Sequence, residues 1–442
     1  MTPLESKIAT LLVDCESTLK PYTMTAGRWQ IKSKSETQLE TIVDEKTSLA
    51  ISYGKSFEEI KKLKSYNIAN KAFERDKVFA NSNITAGMWG AFNGVLEYIL
   101  TSTCKLTTSK IVFNHSAALL QLRKLRELFT KKHINYIATT RLIGATTTSK
   151  RITLPDEVEI LRLNAKEIND RQPLIHSHLT NGTHYINLAD NNLELSLPIT
   201  VPVDHSKEHA LFIARNEAES NARTIFGNIL DAILVAISGK AMLTAIELHG
   251  GIEQMSAFKS IPNEVPLLTN ITIAKSDISN INAAYDLISG GKKGDKTLSR
   301  ALHRFLLGRK RTDLVDKLVD YVIAWEALLL TQDGSPITQE LSYRFSINGA
   351  SILNTVDRKL DRFMNIKQLK AAYSVRSIIV HGGGDADINR LLHKGSFNNL
   401  HSLCDFLEDN FRKTIIWLAK KDVKNRPYRK EYGWEKLIWL GE

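Results

Sequence analysis

Two side chains near the end of one helical stretch carry the clearest chemistry. In RSIIVHGGG, Arg376 and His381 are separated by four residues, and Ser377 follows the arginine directly. Arginine stays charged and presents a planar fork that fits phosphate oxygens. Histidine takes up and releases a proton near neutral pH. Such a pair suits proton transfer beside a bound phosphate ester. An offset of five positions puts the two about 140° apart around an ideal helix, so they do not share a face. The glycines after His381 would let the chain leave the helix, and the histidine could then turn back toward Arg376. Upstream, Glu326 falls on one helical stripe with Val315, Val319, Val322 and Leu330. A carboxylate on such a stripe is costly unless it is paired.

A second set of candidates lies in the C-terminal tail, KKDVKNRPYRKEYGW. Lys420, Lys421, Lys424, Arg426, Arg429 and Lys430 are interleaved there with Tyr428, Tyr432 and Trp434. Cations among aromatics can hold phosphates and stack bases; the plainer alternative is a solvated helix end with its aromatics packed on the fold. His176, His178, His184, His205 and His209 crowd one stretch, but their spacing matches no metal motif and no cysteine joins them, so no metal is expected. GxxxxGK[ST] and HExxH are absent, and no strand leads into GGKKGDK. No cofactor is expected.

Composition sets the frame. The 442 residues are 43% hydrophobic and 24% charged, which excludes whole-chain disorder, collagen and coiled coil. The net charge is +11, and residues 296–442 hold 25 Lys+Arg against 17 Asp+Glu. The excess therefore sits in the last third and favours polyanionic partners. Three scattered cysteines, Cys15, Cys104 and Cys404, suit a reducing cytoplasm rather than a disulfide framework. The longest apolar run, 229–237, is far short of the roughly 20 residues of a membrane span.

Periodicity predicts the elements that would position these groups. Helices are expected over 4–19, 57–79, 86–100 and 116–132. Strands are expected over 135–143, 151–163, 183–188 and 193–203, where Pro198 and Pro202 push the last toward a sheet edge. A long helical tract over 207–248 is stopped by Gly250 and Gly251, and a short helix spans 277–288. A linker over 290–296 precedes a helical run almost to the end. Two regions follow: 1–290, with possible subdomains 1–133 and 134–260, and 297–442.

Within the second region, the helix at 301–307, DLVDKLVDYVIAWEALLL, LSYRFSINGASIL and AAYSVRSIIVHGG occur in that order. The order, with the Arg-x4-His spacing, resembles the Apea-like subgroup of the HEPN superfamily over 298–420. Residues 1–290 show no such resemblance. The implied fold class is α+β, an N-terminal mixed α/β module followed by an all-α HEPN-like bundle. The implied activity is a metal-independent endoribonuclease working as a homodimer, with both Arg/His sets facing one groove. Arg376 and His381 would be catalytic, with Ser377 and Glu326 in support. Ser377 stands where many active members carry Asn or Asp, and its hydroxyl can still donate and accept. Gly383 stands where a modified subgroup carries Tyr, so that control is not carried over. Apea-like domains often serve bacterial defence against phage. By that resemblance residues 1–290 would sense a phage-derived trigger or bind an inhibitory partner. The competing expectation is a non-catalytic RNA-binding or dimerisation scaffold.

Overall fold

Thr2 opens the first helix, α1 (Pro3–Thr18), with a reciprocal cap. Its hydroxyl accepts the Glu5 N–H, and the Glu5 carboxylate accepts the Thr2 N–H at 2.8 Å. The coordinates are a computed structural model that describes residues 1–19, 22–33, 39–50, 58–80, 91–106, 111–168, 192–205, 210–244, 246–250, 271–290, 295–359 and 361–440. They form two compact units, Met1–Thr224 with Met242–Leu267, and Ile225–Ala241 with Leu268–Glu442. No helix among the described residues is long and apolar enough to cross a membrane.

In the first unit, Leu4, Ile8, Leu11, Leu12 and Cys15 recur on one face of α1 and are buried. They join a core with α2 (Lys64–Glu74), α3 (Ala91–Thr103) and α4 (His115–Leu128). Two hairpins accompany these helices: β1 (Tyr22–Ser33) with β2 (Leu39–Ala50), and β3 (Cys104–Leu106) with β4 (Ile111–Phe113). Arg123 on α4 donates to both Glu5 oxygens, at 2.8 and 3.3 Å. That hydrogen bond leads a set of attractions that outweigh burial and hold the Glu5 carboxyl at about 2.

The second half of this unit is an antiparallel sheet. The long strand β5 (His133–Ile143) lies beside β8 (Leu193–Pro202) in the register Leu142↔Leu193 to His133↔Pro202. A hairpin of β6 (Arg151–Thr153) and β7 (Glu159–Arg162) extends the sheet beyond β8. The single strand expected over 151–163 is thus broken. Pro155 starts a turn in which Asp156 and Glu157 take φ of 53° and 60°. Alternate residues Leu193, Leu195, Leu197, Ile199 and Val201 of β8 are buried, as their spacing predicts. The strand is internal, however, not an edge. β7 covers only Leu193–Ser196, so Pro198 and Pro202 fall where one side of β8 has no strand pairing among the described residues. Their missing N–H groups break no ladder bond there.

The helical tract expected over 207–248 is also shorter. Helix α5 runs from Ala210 to Ala236, its last turns belonging to the second unit. Met242–Leu243 (β9) and Glu247–His249 (β10) then pair with β5 as strands. Gly239, at φ 125°, turns the chain away. Arg309 and Arg412 collect the freed carbonyls of Leu234, Val235 and Gly239, which satisfies the helix end. The strand expected over 183–188 lies outside the described residues.

Apart from the two-residue strand Ile271–Thr272 and one tiny hairpin, the regular elements described in the second unit are helices. It contains α6 (Ile278–Ile288), α7 (Lys296–Lys310), α8 (Leu314–Leu329), α9 (Leu341–Val356), α10 (Arg362–Val380), α11 (Asp385–Lys394), α12 (Leu400–Ala419) and α13 (Gly433–Leu440). Aromatics centre the core: Phe305 stacks on Phe411 at 4.6 Å, and Trp325 meets Phe411 edge-on at 5.2 Å. Trp325 also donates its Nε1–H to the Leu407 carbonyl. Gly349 lets α9 approach α10, since a Cβ there would lie 2.6 Å from the Leu369 Cδ1. The bundle begins before the expected boundary near 297. Ile281, Ala284, Tyr285 and Leu287 of α6 are buried in this unit, and Lys420 donates to Asn280 at 2.7 Å.

Candidate functional site

Helix α10 positions the arginine. Asp361 caps its start by accepting from the Phe363 and Met364 N–H groups. Leu369, Ala372 and Val375 then bury one face. Arg376 emerges beside that face with its side chain 25% exposed, and its Nη2 lies 3.6 Å from an oxygen of Glu326 on α8, itself 19% exposed. The Arg376 Nε is buried and makes no hydrogen bond among the described residues. Burial pushes the Glu326 carboxyl upward, and the Arg376 charge opposes that rise. Because burial already disfavours the charged form, Glu326→Gln is expected to change stability by less than about 1 kcal/mol, read as a small shift in the urea midpoint.

Tyr373, one turn before Arg376, was not among the groups picked out by motif. Its ring packs on Phe345 at 5.3 Å. Burial raises its hydroxyl, the Glu326 charge adds to the rise, and Arg376 opposes it. The i, i+3 spacing to Arg376 was the signal available in the sequence.

His381 is the residue on which α10 ends, and it is exposed. The helix closes in a Schellman arrangement: the Gly382 N–H reaches the Ile379 carbonyl and the Gly383 N–H the Ile378 carbonyl. Gly382 takes φ of 75°, and a Cβ on Gly383 would sit 2.3 Å from the Ile378 Cγ2. The turn therefore falls one residue after the histidine, whose backbone stays near helical at φ −96° and ψ 9°. Arg376 is brought to Glu326 and Tyr373, while no hydrogen bond or ion pair joins it to His381 among the described residues. Ser377 is half-buried on the same turn, and its carbonyl accepts the His381 N–H at 3.1 Å. Gly382→Ala should cost about 1–2 kcal/mol by forcing a side chain into the left-handed region. Fraying of the helix end around His381 would show as faster amide exchange at residues 379–383.

The basic tail divides. Arg426 is fully buried, bonded to Asp295 and to the Leu418 carbonyl, and so leaves the set of candidate nucleic-acid contacts. Its guanidinium is held by a carboxylate, not offered to solvent. Arg429 reaches the same Asp295 at 3.3 Å with its side chain 26% exposed. Lys421 lies over the Trp417 ring at 4.4 Å, and Lys420 is exposed but bonded to Asn280. Lys424 and Lys430 are exposed. Tyr428 and Trp434 are core residues, and only Tyr432 of the three aromatics faces solvent. Of the clustered histidines, His205 bonds the Lys131 carbonyl; His176, His178, His184 and His209 lie outside the described residues.

The fold defines an α+β protein whose C-terminal part is a helical bundle, with an arginine–glutamate pair near one end of that bundle. No protein-family model matches the chain, and no curated protein or solved structure matches it.

Proposed function

We propose that the chain is a metal-independent endoribonuclease of the HEPN type, acting as a homodimer. The observation that carries this reading is the placement of Arg376. It sits on the last full turn of α10, part exposed, held by Glu326, with the exposed His381 closing the same helix.

RNA brings its own nucleophile. One imidazole takes the proton of the 2′-hydroxyl as the 2′-oxygen bonds to phosphorus. The P–O5′ bond breaks, and the departing 5′-oxygen needs a proton from a second acid. A single His381 does not supply both groups, whereas two protomers would, through His381 and the partner's His381. Arg376 stabilises charge on the phosphorane oxygens, and Glu326 orients it. The products are a 2′,3′-cyclic phosphate and a 5′-hydroxyl.

In this reading the protein is a cytoplasmic, toxin-like effector of anti-phage defence, and residues 1–290 restrain it until a phage-derived trigger or the loss of an inhibitory partner releases it. The test is growth. Expression of the wild-type chain, with phage challenge, should arrest cells, and the Arg376→Ala/His381→Ala chain at equal abundance should not. Equal growth of both under challenge would favour the alternative, a non-catalytic RNA-binding or dimerisation scaffold, in which the Arg376–Glu326 pair is structural.

A further inference from the structure

The pairing of charges in the bundle separates structural cations from free ones. Residues 296–311 hold six Lys or Arg and no acid. Four of the six are taken up. Arg304 and Arg311 share Asp320, Arg309 pairs with Glu408, and Lys310 lies 3.8 Å from Asp231. Lys296 and Arg300, in the first turns of α7, are exposed and in no ion pair among the described residues. The tail divides in the same way: Arg426 is consumed by Asp295, while Lys424 and Lys430 are exposed and in no ion pair among the described residues.

One carboxylate brings these leftover cations to one place. Asp295, directly before Lys296, accepts from Arg426, from the Tyr428 hydroxyl at 2.8 Å and from Arg429 at 3.3 Å. The chain segment carrying Lys424 and Lys430 is thereby fixed beside the start of α7. The hairpin that follows α8, Thr331–Gln332 with Ser335–Pro336, is bonded to the same segment. Gly334 donates its N–H to the Tyr428 carbonyl, and Trp434 donates to the Thr331 carbonyl at 2.8 Å. Glu326, which holds Arg376, lies only five residues before Thr331, or about 8 Å along a helix. The free cations and the Arg376 pair therefore share one end of the bundle.

We propose that Lys296, Arg300, Lys424 and Lys430, gathered around the buried Asp295 clamp, form a surface that tracks the phosphates of single-stranded RNA leading to Arg376. This rests on the reading of the chain as an RNA-acting protein, and it names where the strand is held outside the reacting groups. The half-exposed Arg429 lies within this surface, but its bond to Asp295 makes it a clamp residue.

The test measures binding and leaves cleavage out. A fluorescent single-stranded 2′-O-methyl RNA lacks the nucleophile, so the full-length protein can be titrated with it at several salt concentrations. Each cation that meets a phosphate on a single strand adds about 0.7 to the slope of log K against log salt. The Lys296→Gln/Arg300→Gln/Lys424→Gln/Lys430→Gln chain should lose about three from that slope. Arg358→Gln/Lys359→Gln, in the exposed turn between α9 and α10, should leave it unchanged. The proposal is overturned if the fourfold variant, folded by circular dichroism, keeps the wild-type slope. It is equally overturned if the control pair lowers the slope as much per charge, or if the wild type does not bind. A wild type that binds through these four residues yet never cleaves 2′-hydroxyl RNA would sink the nuclease reading and leave the surface standing.

Discussion

Asp295→Ala is expected to destabilise the bundle by about 3–5 kcal/mol, the usual cost of stranding one partner of a buried ion pair. Asp295 is 4% exposed and Arg426 is fully buried, so the guanidinium cannot regain water without the segment opening. The same carboxylate caps α7 by accepting the Leu298 N–H at 3.1 Å, and a lost cap adds about 1 kcal/mol. Total stabilities are usually about 5–15 kcal/mol, so the effect would be large in a urea titration read by tryptophan fluorescence. Asp295→Ala/Arg426→Met should recover part of the loss, because it removes the orphaned charge. A midpoint within about 1 kcal/mol of wild type would mean that the clamp is not the anchor described. The pH dependence follows from the same contacts. Burial alone would raise the Asp295 carboxyl, but the Leu298 N–H, the Tyr428 hydroxyl and Arg426 together hold it below the usual range. A lowered folded value means the stabilisation is complete above the unfolded value near 4 and is lost as pH falls below it. Asp295→Ala should therefore flatten the acid limb of the stability profile.

The second large effect concerns the proposed reaction. His381→Ala should lower cleavage by about 10²–10⁴-fold, the range that a positioned general acid or base supplies. Arg376→Lys should also fall steeply although the charge is kept, because an ammonium cannot present two parallel donors to a phosphate. In a homodimer whose composite site needs His381 from both protomers, a heterodimer of wild-type and His381→Ala chains keeps a single imidazole and should lose nearly all cleavage. A verified heterodimer that keeps about half the wild-type rate would instead argue for sites confined to single protomers.

Much of this architecture was legible along the chain. The buried face of α1 and the alternation of β8 are local periodicities, and both appeared where their spacing put them; on α8 the buried side is carried instead by Leu318, Tyr321, Val322, Trp325 and Leu329, while Val315 of the expected stripe is exposed. That Glu326 needs a partner was also legible, because a carboxylate on a largely apolar helix is costly alone, and Arg376 is the partner the structure gives it. Endings and exceptions were harder, since distant residues decide them. Helix α5 stops where Arg309 and Arg412 collect its carbonyls. The tail read as a basic surface, yet Arg426 belongs to the core because its carboxylate lies 131 positions earlier. Pro198 and Pro202 indicated an edge, and a flanking strand that ends early reconciles them with an internal position. His381 was expected to turn with the glycines, but the positive φ falls on Gly382.

The central claim is that Arg376 and His381 cleave RNA without a metal. Its most direct test is incubation of the purified full-length chain with total bacterial RNA in EDTA, beside the Arg376→Ala/His381→Ala chain, followed by analysis of the new ends. The account predicts discrete fragments from the wild type alone, ending in 2′,3′-cyclic phosphate and beginning with 5′-hydroxyl. Fragments of equal yield from the double variant, or fragments ending in 3′-hydroxyl, would contradict it.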